Sequence, residues 1–278
     1  MRRAFSIPHA ASTILVLALG AGLSTGAAAQ TVLEGFRESG QCPDCDLRLA
    51  EMRGIAIENA NLSGAILREA DLKAASLVEA DLSGADLRRA EVERADLSRA
   101  NMTGASMRGV DLEKATLAGV RLNDADLRDA DMSDSDLTGA SLVDTDLRFA
   151  LLVRVKADGA SFRGAKMEGI SLERANLAGA DFSGARLKYA DFDRIEAKGA
   201  DFRDTDLTGA HFSSANLTGV NLTGARLEGT LFRRTRLVGA DLTGARGLDK
   251  ARMIGACGDG STKLPDGLQI ETCADLRD

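Results

Sequence analysis

Two cysteine pairs are the residues of this 278-residue chain best equipped for chemistry: Cys42 with Cys45, and Cys257 with Cys273. Cysteines can bridge, ligate a metal as thiolates or, as in Cys42-Pro43-Asp44-Cys45, exchange electrons in a redox-active CxxC. Four cysteines allow three pairings. The CxxC lacks the βαβ surroundings of a thioredoxin-like motif, which speaks for a structural staple over a redox centre. Other catalytic types are scarce. His211 is the only histidine beyond position 29, so no histidine cluster is present for metal or base chemistry. No glycine-rich loop has phosphate-binding spacing. Asp and Ser are abundant but recur at outward positions of a repeat, where solvation accounts for them. The expectation is a chain with no catalytic, cofactor-binding or metal-binding residues, and no enzyme.

What places these residues is a five-residue repeat. From Leu47 to Leu242 forty units follow in one register, as in Ala80-Asp81-Leu82-Ser83-Gly84. A small residue sits at positions ending in 0 or 5, and a large apolar one at nearly every position ending in 2 or 7. The period matches neither the 3.6 of a helix nor the 2 of a strand. A chain turning a corner every five residues satisfies it, with the large residue and the one two before it inward and the other three outward.

Ala60-Asn61-Leu62-Ser63-Gly64 and Ala240-Asp241-Leu242-Thr243-Gly244 resemble the pentapeptide-repeat family, and the resemblance covers residues 47–246. It implies an all-β fold, a right-handed quadrilateral parallel β-helix of about ten coils. Each coil would hold twenty residues and pair with the next as short parallel strands about 4.8 Å apart. Reading the sequence in twenties then sorts it into faces. Ala157 and Ala197 replace the large residue, and each follows a large partner, Val155 and Ile195, so volume is conserved. Phe162, Phe182 and Phe202 should stack on one inner face, and Phe192, Phe212 and Phe232 on the opposite one. On such a rod the two cysteine pairs lie at opposite ends, which excludes a single four-cysteine metal site. Cys42–Cys45 and Cys257–Cys273 are the expected disulfides.

Residues 1–29 read as a secretory signal peptide: Arg2 and Arg3, the apolar run from Ile14 to Leu19, and Ala27-Ala28-Ala29 before Gln30. Arg2-Arg3-Ala4-Phe5 also fits part of a twin-arginine signal, so the export route stays open. Residues 30–46 form an N-terminal cap carrying the CxxC, with Thr31 to Gln41 as a short helix or turn covering the first coil. Residues 247–278 form a C-terminal cap, in which Leu248 to Ala256 can make a short helix. Loss of the signal takes the formal charge from −7 to −9. That acidic balance argues against broad nucleic-acid binding, and no membrane span remains. The mature chain is expected in the periplasm or outside the cell.

Outside the rod, Arg68, Arg88, Arg108, Arg128 and Arg148 repeat at one position in five successive coils. Asp86, Asp126 and Asp146 stand two residues before three of them, and Phe149 and Tyr189 project from the same side. This ladder is either a face for an anionic polymer or acidic protein, or a solvated face with interleaved ion pairs. Asp71, Glu91, Asp111 and Asp131 form an acidic run mixed with Arg94 and Lys114. Gly119, Gly139, Gly159, Gly179, Gly199, Gly219 and Gly239 line one corner beside Val78, Ala118, Ala178 and Val238. Turn geometry accounts for these glycines; a homodimer packed through the flat strip is the alternative. The function expected is a non-catalytic scaffold engaging an unidentified protein or anionic polymer. The resemblance implies a second reading, an acidic rod that mimics DNA for a type II topoisomerase, which requires a cytoplasmic chain. A redox-active CxxC protein is the third.

Overall fold

The computed structural model describes residues 25–273, with side chains from Thr31 onward. Most of the expected signal peptide lies outside the described residues. Parallel bridges link each residue ending in 1 or 6 to the residue twenty later, from Gln41–Asn61 to Arg226–Arg246. Four bridges per twenty residues make a four-sided parallel β-helix. The sides are single bridges rather than the expected strands, because two of every five residues turn the corner and leave only one outward residue per side to pair. Large and small inward positions are buried together, as at Leu82 and Ala85.

One unit shows why the sequence folds this way. Asp81 N donates to Ala60 O below, Leu82 N to Asn101 O and Gly84 N to Thr103 O above, and Ala85 N closes the turn onto Leu82 O. The remaining N–H, that of Ser83, donates to the Asp81 carboxylate at 3.0 Å. All five donors of the unit are thereby satisfied. The residue before each small inward position has positive φ, as a type II turn requires; Gly84 adopts it at 65° without strain. Inward hydroxyls also find backbone acceptors: Thr145 donates to Leu122 O and Thr230 to Leu207 O, both at 2.8 Å.

The two Phe stacks run along the interior. Phe162, Phe182 and Phe202 lie face to face at centroid distances of 4.8 and 4.7 Å, and Phe192, Phe212 and Phe232 at 4.7 and 5.2 Å. Edge contacts near 6 Å join the ladders, as between Phe182 and Phe192 at 6.1 Å. The compensating pairs Val155 with Ala157 and Ile195 with Ala197 are fully buried.

Both ends differ from expectation in their boundaries. Coil pairing starts at Gln41 rather than at Leu47. Cys42 takes a large inward position and Cys45 the small one after it, so the CxxC forms the first corner instead of lying in a separate cap. Helix α1 (Thr25–Ser39) precedes it and begins six residues before Thr31. It buries Leu33 and Phe36 against the first coil. At the other end no helix spans Leu248 to Ala256; a single 3₁₀ turn covers Lys250–Arg252. The tail keeps to the coil path, with Arg236 bridging Cys257 and Asp241 bridging Lys263. The offsets grow to 21 and 22 because one extra residue enters between Arg246 and Arg252, around the 3₁₀ turn, and a second in the loop around Gly258–Thr262. Strands β1 (Cys257–Gly258) and β2 (Glu271–Thr272) pair in parallel and close the rod.

Candidate binding face

Both disulfides form, Cys42–Cys45 and Cys257–Cys273, and no free cysteine exists among the described residues. The first spans positions i and i+3 of a turn, with Cα atoms 5.4 Å apart. A type II corner already holds these positions within bridging range. His211 is exposed, and no His, Cys, Asp and Glu grouping among the described residues could hold a metal ion. No described helix is long and apolar enough to cross a membrane.

The five ladder arginines project from one corner, extended toward the N-terminus by Arg48, and each meets a carboxylate. Arg68 and Arg88 share Asp86 at 2.5 and 2.8 Å. Arg128 pairs with Asp126 at 2.6 Å and Arg148 with Asp146 at 2.7 Å. Arg108 lacks an Asp two residues before it, since Ser106 stands there, and reaches Asp129 at 2.9 Å instead. The hydrogen bond from Arg88 holds the Asp86 carboxyl at about 2, against the opposing effect of burial and with a further bond from Arg68. The N-terminal part of this face is therefore a neutralised lattice of fixed ion pairs. In the acidic run next to it, burial pushes the Asp111 carboxyl up, and Glu93, Asp131 and Glu113 add to the effect.

Beyond residue 150 the face changes character. The column that holds Asp86, Asp126 and Asp146 continues as Lys166, Arg186, Asp206, Arg226 and Arg246. Only Asp206 offsets these cations within the column, 3.4 Å from Lys188 and 4.0 Å from Arg226. Arg186 and Arg246 have no ion-pair partner among the described residues. Together with Glu168 and Lys188 they line an open trough of about 510 Å³. Glu168 Oε2 is buried there and accepts no hydrogen bond. No motif marks these residues in the sequence; the sign change from Asp to Lys and Arg along one column of twenties is the available signal.

The aromatics stand on the corner beside the trough. Phe149 is 64% and Tyr189 70% exposed, and both have positive φ, 62° and 57°. Each ring occupies the notch left by the missing side chain of the glycine one coil above. A Cβ on Gly169 would lie 2.8 Å from the Phe149 ring, and one on Gly209 2.7 Å from the Tyr189 ring. Phe149, Gly169, Tyr189 and Gly209 thus alternate up one corner.

The family model for pentapeptide repeats matches overlapping stretches that together span residues 57–246. Among curated proteins none matches the sequence. Of solved structures, a trypsin-treated form of QnrB1, a plasmid-mediated fluoroquinolone resistance protein, superposes with a TM-score of 0.53 at 19% identity. The match covers 61% of this chain and 88% of that one, and it bears on fold alone. HetL, a pentapeptide repeat protein involved in heterocyst differentiation regulation from the cyanobacterium Nostoc, is 28% identical over 84% of this chain and 94% of its own, with a TM-score of 0.34. The unbroken repeat, the corner chemistry and the family match agree: this chain belongs to the pentapeptide-repeat family.

Proposed function

We propose that the mature chain is an exported, non-catalytic rod of the right-handed form implied for its family, acting as an interaction scaffold in the periplasm. One observation carries this reading: the corner column from Phe149 to Tyr189, with the unpaired cations beside it, presents large exposed aromatics that the rod's packing does not require. The signal-like N-terminus and the two end disulfides support a location outside the cytoplasm. Proximity labelling by a fusion to the exported chain tests it. Enrichment of envelope components, reduced by Phe149→Ala with Tyr189→Ala, is the expected result. An uncut chain found in the cytoplasm would overturn the reading.

A second reading, a DNA-like rod for a type II topoisomerase, is favoured by uneven charge. Residues 30–150 hold 24 acidic and 14 basic side chains, whereas 151–278 hold 18 and 19. A supercoiling assay with micromolar mature chain decides it, and unchanged gyrase activity ends it.

A further inference from the structure

The aromatic corner and the cationic trough occupy the same half of the same side, and their spacings are set by one lattice. Coils rise about 4.8 Å, and the interior Phe rings stack at 4.7 to 5.2 Å. Phe149 and Tyr189, two coils apart, are therefore separated by about 9.6 Å along the axis. Lys166, Arg186, Arg226 and Arg246 follow the same lattice in the neighbouring column, with Asp206 interrupting them between Arg186 and Arg226. The occupant of such a surface is extended, carries ring faces at every second step, and bears negative charge along one edge.

From this juxtaposition we infer that the C-terminal half of the rod binds an extended anionic polysaccharide, a chain of β-1,4-linked sugars bearing carboxylates. The assignment rests on the scaffold reading above and names the partner of that face. The rise of one coil is close to the rise of one sugar in an extended β-1,4-linked chain, so two coils span one disaccharide. Successive aromatics then meet every second sugar ring on the same side. The axial C–H groups of a sugar pack on an aromatic face while its hydroxyls stay in water, and an exposed Phe or Tyr anchored on a glycine supplies such a platform. Arg186 and Arg246, free of intramolecular carboxylates, are positioned to take the sugar carboxylates in bidentate fashion.

Glu168 separates this partner from other anions. Its buried Oε2 lacks a donor, and a buried acceptor gains by receiving one. A sugar brings hydroxyl donors along with its carboxylates. A polyphosphate brings acceptors only, and nucleic-acid or acidic-peptide backbones repeat at other distances than the coil rise.

Tyr189 is the only tyrosine in a chain without tryptophan, so intrinsic emission excited at the tyrosine band reports on this corner alone. The mature chain, residues 30–278, is titrated with a polymannuronate hexamer, cellohexaose, hexaglutamate and oligo-dT of equal length. Polymannuronate should change the Tyr189 emission saturably, with cellohexaose at least about tenfold weaker because it lacks the carboxylates. By calorimetry, Phe149→Ala and Tyr189→Ala should each weaken polymannuronate about five- to tenfold, while Tyr189→Phe keeps the wild-type affinity. Arg186→Gln with Arg246→Gln should lower affinity and flatten its salt dependence. Unchanged circular dichroism checks that the variants fold. Equal binding of hexaglutamate or oligo-dT, or loss of aromatic dependence, overturns the assignment. If no polymer binds while labelling still captures an envelope protein, the polysaccharide assignment falls and the scaffold reading stands. Polymannuronate binding by a chain that stays cytoplasmic reverses that outcome.

Discussion

Every corner asks one residue for a left-handed backbone, and where an Asp or Asn stands two residues before the corner's free N–H, its side chain supplies the acceptor. Asp81 takes the Ser83 N–H, Asn101 those of Thr103 and its hydroxyl, and Asp136 both groups of Thr138. The sequence reading assigned these carboxylates to solvation; their structural role is invisible until the orphan N–H of each corner is counted. On the ladder face they take an arginine as well. Asp86, Asp126 and Asp146 all have carboxyls held below the ordinary range. A depressed folded pKa means that stability is fully present above the unfolded value, about 3.9. It is lost as pH falls through the folded value, about 2 for Asp86. Asp111 acts in the opposite sense, since its raised pKa makes the folded state bind a proton more readily. Thermal melts between pH 6 and pH 2 should show a midpoint falling below pH 4. Replacing all three ladder carboxylates by Asn should flatten that fall while keeping the corner acceptors; an unaltered slope would show that the arginine pairs contribute nothing.

Among the elements, the coil is the unit that the sequence discloses best, since inward positions recur with fixed volume and the twenty-residue period can be checked against itself. The Phe stacks and the compensated alanines follow directly from that period. The sides were harder to foresee as isolated bridges, because apolar spacing records burial and not how many residues pair. The ends are harder still: Cys45 falls on a small position of the repeat by its number alone, but Cys42 does not look like the Leu whose role it fills in the first corner. The trough is hidden from any grouping of charge columns by likeness, because this column changes sign between Asp146 and Lys166. Compensation within a coil makes a sharp test. With Val155 and Ala157 fully buried, Ala157→Leu alone overfills the interior and should cost about 1–3 kcal/mol. Adding Val155→Ala restores the common large-after-small pattern and should recover most of that loss in denaturant melts. Additive effects of the two changes would show that neighbouring inward positions do not share one volume.

On the scale of the whole rod, stability is a chain of nearest-neighbour contacts between coils, so the ends govern opening. Only there do backbone groups lack a coil to pair with, and the two ends are closed differently. At the N-terminus α1 lays Phe36 on the first coil and Arg37 donates to Glu51 O. At the C-terminus a tail of irregular corners is held by the β1–β2 pair, by Thr262 donating to Leu237 O, by Asp259 accepting from Gly239 N, and by Cys257–Cys273. That disulfide joins residues 16 apart, and a loop of this length contributes about 3 kcal/mol in the chain-entropy model. The tail buries little beyond Met253 and Ala256, so the crosslink is a large share of what keeps it docked. Cys257→Ser with Cys273→Ser should therefore speed amide exchange across residues 250–273 and in the coil beneath, at Leu237 and Leu242. Coils around the central Phe stacks should exchange as slowly as before, because opening propagates from an end one coil at a time. Uniformly faster exchange along the whole rod would mean instead that the coils melt together, and that the tail stabilises the molecule rather than sealing its end.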